Sequence, residues 1–397
     1  MSAFASPELN LFSEDARRNP YPLYQKLRAA SPVLPVPQLN FWMLFDYDSV
    51  KRALNDHDAF SSSMSTAGRG NPDWFFFMDQ PRHTRQRALI TRAFTPRVVA
   101  NLEPRIAAIS AGLLDAVQER RDIDLVADFS TPLPAMVIAE MLGIPAEDRP
   151  RLNRWIDVML GLIFSVTGGP EAAAATQQYR AATEEMSGWL ADLIARRSTA
   201  PQDDLLTALA QAEVDSERLT HREILNFVQL LLVAGTETTT NLIANAMICF
   251  LDHPEQLDRL RREPALLSSA IEEVLRYRGP AQWLFRATRC DVEIHGVAIP
   301  AGKLVLPVVG SANRDPQVFA DADRFDIARD PNPHIAFGHG IHFCIGAALS
   351  RLETRVALSQ ILERWVSFEL ASAEPWPPRR PLHVHGPSRL NIRFRAE

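Results

Sequence analysis

Cysteine is scarce in this sequence. Its 397 residues hold three, Cys249, Cys290 and Cys344, far apart and with no C-x-x-C pair. So odd and dispersed a count argues against a disulfide framework or a structural zinc site and makes a reducing cytoplasm the expected compartment. Long apolar runs are missing too, since none approaches the roughly 18 residues that a membrane-spanning helix needs. Met1 to Glu8 carry no basic stretch leading into an apolar core, so no secretory leader is expected there. Positive charge is in deficit, with 42 Lys and Arg against 48 Asp and Glu and a formal net charge of −6. A general nucleic-acid binder would be basic, so that class is disfavoured. There is no Gly-x-Gly-x-x-Gly dinucleotide fingerprint and no internal repeat. With 46% hydrophobic and 23% charged residues, the chain has the composition of an ordinary globular protein with ample material for a core.

What is present concentrates in one stretch, Phe337-Gly338-His339-Gly340-Ile341-His342-Phe343-Cys344-Ile345-Gly346. A helical pattern follows at once, with Ala348, Leu349, Leu352 and Val356 on one expected face. Cys344 thus stands just before a helix N-terminus, where unpaired N–H groups and the dipole favour the thiolate, the metal-binding form. Gly338, Gly340 and Gly346 lack a Cβ and let the backbone turn tightly against a flat ligand. The ordinary reading of a lone cysteine is a small buried hydrophobe. A metal-ligand loop is the competing reading.

Two other stretches carry chemistry. From His83 to Phe94 the sequence predicts a basic helix on which His83 and Arg87, four residues apart, present two donors to one side; a solvated basic face is the alternative. Thr220 and Glu223 form a capping box, and a helix runs from there to Leu251, apolar around its whole circumference and therefore central. Inside it lies Ala234-Gly235-Thr236-Glu237-Thr238-Thr239. A glycine, three threonines and a carboxylate weaken helix propensity together, and a buried carboxylate is costly unless it serves a function. An exposed stripe through Glu237 is the competing reading.

Glu273 and Arg276 share a helix face three residues apart, a pairing that is common on surfaces. Residues 279–286 leave that helix as a strand, residues 292–302 read as a hairpin, and residues 389–394 alternate as a strand. The aromatic run Trp74 to Met78 is either a plug for the neighbouring loop or a wall of a binding pocket. Further helices are expected over residues 102–121, 134–142, 150–164 and 171–197, the last two separated by Gly168-Gly169-Pro170.

Taken together and in this order, these motifs resemble the cytochrome P-450 family, across nearly the whole chain. The resemblance implies a mainly α fold with small β-sheets, one haem domain over residues 1–397, and haem b (iron protoporphyrin IX) held between the central helix and the helix after the cysteine loop. It implies that Cys344 is the iron ligand, that Phe337 shields the sulfur, and that His83, Arg87, Arg286 and His342 bind propionates. Gly346 and Ala234 belong to the same cofactor site. Gly235 would leave room for dioxygen, Thr238 would hydrogen-bond it, and Glu237, where the family more often has aspartate, would relay protons. Glu273, Arg276 and Arg329 would form a buried ion network that retains the fold and the haem, with Arg324 an alternative to Arg329. Pocket candidates are Phe75, Phe76, Leu162, Phe164, Leu230, Val233, Gln282 and Leu284, with Ala281 beside them.

The activity implied is insertion of one oxygen atom from dioxygen into a hydrophobic small molecule. Electrons would come from NAD(P)H through a reductase and a ferredoxin docked near Arg92, Arg97 and Arg351. A soluble, cytoplasmic monomer is expected. Alternatives are a peroxide-driven oxidase on the same scaffold and a non-catalytic haem-thiolate sensor or carrier, the latter disfavoured by the Gly235, Glu237 and Thr238 set.

Overall fold

The protein is described by a computed structural model over residues 11, 13–63, 72–148, 151–152, 154–155, 158, 170–379 and 383–396. Leu162, Phe164 and the Gly168-Gly169 break lie outside the described residues.

One helix, His221–Asp252, organises the rest. Its N-terminus is closed in both directions: the Glu223 N–H donates to Thr220 Oγ1 (3.2 Å) and the Thr220 N–H donates to the Glu223 carboxylate (2.8 Å). It stops where Pro254, unable to continue the ladder, begins the next helix. Thirty-two residues rise through ~48 Å, the width of a domain. Every residue from Asn226 to Phe250 is buried except Ala234, Gly235 and Thr238. The apolar circumference thus has its expected consequence, a helix threaded through the interior, with a local opening on one face.

Around it pack the helices Arg82–Ala93, Glu103–Asp115, Pro132–Met141, Pro170–Thr199, Leu267–Arg278 and Ala347–Arg364. Side chains from most of them merge into one continuous apolar core that includes Ile138, Phe227, Leu232, Leu242, Leu275 and Leu352. The helix expected over 102–121 ends early, at Asp115, with the chain continuing as turns to Asp122–Asp124, a short strand.

The sheets are small. Five strands lie in the order Val33–Val36, Phe41–Leu44, Leu304–Pro307, Arg286–Thr288, Phe60–Ser61. Phe41–Leu44 and Leu304–Pro307 run parallel, with Phe41 opposite Leu304 and Leu44 opposite Pro307. A second sheet joins Trp365–Leu370, Asn391–Ala396 and Asp122–Asp124. The hairpin of Val292–Ile294 and Val297–Ile299 turns through His295 and Gly296, both with positive φ. Among the described residues no helix is long and apolar enough to cross a membrane.

Candidate active site

Ala234, Gly235 and Thr238 occupy one side of the central helix, at i, i+1 and i+4, and open a hollow in an otherwise sealed core. The Thr238 hydroxyl donates back to the Ala234 carbonyl at 2.7 Å, so its proton is committed and its lone pairs remain to accept. A Cβ built on Gly235 would come 2.7 Å from Ile138 Cδ1 on helix Pro132–Met141. Helix Pro132–Met141 thus passes close to Gly235, where a larger residue would oblige the tip of the Ile138 side chain to move.

Glu237 is buried, not on an exposed stripe. Burial pushes its carboxyl up to about 7, with Arg379 opposing the shift. Asn241, one turn on, donates to the Glu237 carbonyl at 2.8 Å, and Arg379 Nε reaches Asn241 Oδ1 at 3.4 Å. An acid poised near neutrality thus stands behind Thr238, connected outward to a half-buried arginine.

The cysteine loop folds back on itself: the Cys344 N–H donates to the Phe337 carbonyl at 2.9 Å. Gly338 (φ 76°) and Gly340 (φ 73°) take the left-handed conformation that this return requires. Gly346 does not, with φ −83°; it is the cap of helix Ala347–Arg364, and a Cβ there would only touch the Cys344 sulfur at 3.9 Å. Its contribution is a backbone N–H toward the thiol. Cys344 is open on one side, as are Phe343 and Ala348. Ala348 thus does not share the buried face of Leu349, Leu352 and Val356.

Burial pushes the Cys344 thiol up, against the pull of the Gly346 and Ala347 N–H groups, Arg87 and Arg351. The helix-end N–H groups act in the expected direction, toward the thiolate. A thiolate here calls for a cation bonded to it. The Phe337 ring lies under the Arg351 guanidinium (4.5 Å) and near Phe343 (6.2 Å). Arg351 is in turn gripped by Glu272 at 2.6 and 2.7 Å, and His334 joins the same carboxylate at 2.9 Å.

Beside the loop, His83 and His342 face one another with ring centroids 4.0 Å apart. Both ring nitrogens of each, and Nε of Arg286, are buried without a hydrogen-bond partner among the described residues. Arg87 and Arg286 both act electrostatically on each histidine, and burial with their charge depresses His83 to about 4 and His342 to about 2. Burial lowers Arg286 to about 10, and Asp79 opposes the shift. Polar groups buried in this way cost 1–3 kcal/mol each unless satisfied. A cluster of cationic and donor groups in which, among the described residues, no carboxylate bonds to His83, His342 or Arg286 fits a ligand that brings its own anions. Haem, with two propionates and an iron for Cys344, matches that donor set.

Behind the loop, Arg276 grips Glu273 through two bonds of 2.7 and 2.8 Å, both side chains fully buried. Arg329 Nε bridges the same carboxylate at 3.2 Å, and the Asp326 N–H and Asn332 complete it. Arg324 contributes only its carbonyl to Arg276; its side chain is largely exposed. The pair on one helix face is thus a core network and not a surface pairing.

The pocket candidates divide. Leu230 and Val233 are buried on the central helix, and half-buried Leu284 reaches Gly338. Phe75 stacks on His83 (5.8 Å) and meets Phe227 (6.0 Å), joining the basic helix to the central one, while Phe76 packs on Phe77 and Trp74. Gln282 is buried and spends its amide on neighbouring groups. Its amide donates to the Gly279 carbonyl (2.8 Å) and lies by Tyr21 and Gly310, in a segment that is not a regular strand.

Sequence reasoning missed three residues near the site. Glu353 is buried against Thr239 of the central helix, its carboxyl pushed up by burial to about 8. Its position four residues after Leu349, on the buried stripe, was a usable signal. His57 and Arg379 reach the site from distant segments, and no local pattern marks them.

The family model described as Cytochrome P450 matches residues 34–389. Cytochrome P450 109 of Bacillus spizizenii is 40% identical, the match covering 98% of this chain and 95% of that protein. The vitamin D(3) 25-hydroxylase of Pseudonocardia autotrophica is 39% identical over 89% of this chain and 88% of its own length. Among solved structures, CYP109E1 of Bacillus megaterium in complex with testosterone superposes with a TM-score of 0.87 at 38% identity, covering 94% of this chain and 99% of that one. A cysteine loop, an anion cradle and an opened central helix, with likeness over nearly the full length, lead to one conclusion: this chain belongs to the cytochrome P450 family and is a haem-thiolate monooxygenase of bacterial type.

Proposed function

We propose that the chain inserts one oxygen atom from dioxygen into an apolar organic molecule, with electrons from NAD(P)H delivered by a reductase and a ferredoxin. The observation that carries the reading is the single break in the burial of the central helix, backed by an acid held near pH 7. Haem b bound to Cys344 would supply the reduction of dioxygen and the cleavage of its O–O bond.

The chain's own residues do the rest. His83, Arg87, Arg286 and His342 hold the propionates and so fix the ring's orientation. Thr238, its proton engaged with Ala234, accepts a hydrogen bond in the hollow. Glu237 exchanges protons: with a carboxyl near 7 both its forms are populated at neutral pH, the condition for an efficient relay. Asn241 fixes the turn that presents it, and Arg379 modulates its charge.

Leu230, Val233, Phe75 and Leu284 give the hollow apolar surroundings, which suit a hydrophobic substrate. The relatives' names, a vitamin D(3) hydroxylase and a testosterone complex, support a polycyclic or terpenoid-sized molecule. Ferredoxin docking falls to exposed Arg92 and Arg97; Arg351, engaged by Glu272, has less charge to offer.

The test is a reconstituted system with NADPH, reductase and ferredoxin, using a substrate chosen by titrating compounds against the haem absorption band. Thr238→Ala is expected to keep consuming NADPH while product falls by about tenfold or more and oxygen leaves as hydrogen peroxide. Product that stays coupled to NADPH in the variant overturns the role of Thr238.

A further inference from the structure

His57 lies in the short connection between helix Tyr47–Asn55 and strand Phe60–Ser61. Its ring meets that of His342 edge to face, centroids 6.4 Å apart, and His342 meets His83 at 4.0 Å. Three imidazoles thus form a row from half-buried His57 through half-buried His342, whose ring nitrogens are enclosed, to buried His83. His57 has no hydrogen-bond partner among the described residues, and its charge is felt at both of the other rings.

The charged groups around it are Asp56, Asp58, Asp79 and Arg286. Two of the three carboxylates are taken elsewhere. Asp56 caps the turn through the Ala59 N–H (3.1 Å) and lies near Arg52 (3.6 Å). Asp79 accepts from Ser61 and the Ser62 N–H and pairs with Arg289 at 2.7 Å. Asp58 is exposed. None of them bonds to the ring, while the groups it faces on the inner side, His342, His83 and Arg286, are those that the haem carboxylates would engage.

We infer that His57 is a further contact of the haem propionates, closing the solvent side of the cradle formed by His83, Arg87, Arg286 and His342. The ring nitrogens of His83 and His342 and Nε of Arg286 stay unpartnered among the described residues, and the His57 ring stands against that open group with no bond of its own. Being half-buried, His57 can exchange protons with solvent, so it couples the charge at the haem edge to pH. Burial and Arg286 disfavour its protonation; two propionates beside it favour protonation. An electron added to the haem favours it further, so protonated His57 stabilises the reduced state and the midpoint potential rises as pH falls.

The inference rests on haem being held by Cys344, and the test separates the two. Purified holoprotein is compared with His57→Gln and His57→Ala for midpoint potential between about pH 6 and pH 8, and for haem transfer to excess apomyoglobin. A red-shifted Soret band of the reduced carbon monoxide adduct in all three proteins establishes the thiolate site independently of His57. The wild-type potential is expected to climb toward low pH, and both variants to lose that part of the climb. Haem is expected to leave His57→Ala about fivefold to tenfold faster, with His57→Gln, which keeps a donor, close to wild type. Potential and transfer curves that superpose for all three proteins overturn the assignment, as does a pH response that survives in His57→Gln.

Discussion

Two buried polar clusters flank the cysteine loop, and they are built on opposite terms. Around Glu273 the bonds to Arg276, Arg329, Asn332 and the Asp326 N–H satisfy the carboxylate from every side, and Arg276 spends its remaining donors on the Asn313, Ala322 and Arg324 carbonyls. Around His342 the bonds are absent: four imidazole nitrogens and one guanidinium nitrogen are buried and unmatched among the described residues. A charge network closed within the chain is a folding device, whereas an array of donors left open is a binding device. Near a cofactor site, the distinction lies in which atoms are satisfied and not in how many charges are present.

The comparison can be broken first at its closed half. Glu273→Ala strands Arg276 in the core with its charge uncompensated, a loss of about 3 to 5 kcal/mol. The expected result is little folded protein, read by circular dichroism and by the yield of soluble holoprotein. Next comes the open half. His342→Ala removes groups that have no partner within the chain, so the apoprotein is expected to melt within a few degrees of wild type while haem affinity falls about tenfold. A large drop in apoprotein stability would place His342 with Glu273 after all.

A third test concerns Glu353, a buried acid that fits neither half. Its carboxyl titrates near 8 in the folded chain against an ordinary value of 4.5. Burial therefore costs nothing below about pH 4.5, and the penalty grows as pH rises toward 8. Glu353→Gln removes the ionisation, so its melting temperature is expected to exceed that of wild type at pH 8 to 9 and to match it at pH 5. A constant offset across that range would show that Glu353 ionises without penalty.

The two clusters were not equally legible in the sequence. His83 with Arg87 and Glu273 with Arg276 are local pairs at helical spacing, and the glycine-rich run around Cys344 is dense enough to stand out. Arg329 was placed with them through the family resemblance alone. The capping box at Thr220 and the apolar circumference that follows it specify a central helix directly.

What failed to show depends on contacts made across the chain. Ile138 comes close to Gly235 from another helix, His57 borders the cradle only once its connection is folded, and Gln282 lies in a segment too irregular to assign a face. The pull of Arg87 and Arg351 on the Cys344 thiol likewise comes from other segments, whereas the helix end beside it is local. Strand Trp365–Leu370 was likewise hidden, since its partner residues stand far along at Asn391–Ala396.

The parallel pairing of Phe41–Leu44 with Leu304–Pro307 has a consequence for how the protein is made. At about 5 to 20 residues per second, a ribosome needs on the order of tens of seconds to travel from the first of these strands to the second. Throughout that interval Tyr24, Met43 and Phe45 lack Trp283, Leu306 and Val308, the partners that enclose them in the finished molecule. The amino-terminal region leaves the exit tunnel as a sticky, incomplete surface, and nascent-chain chaperones are the natural guardians of that wait.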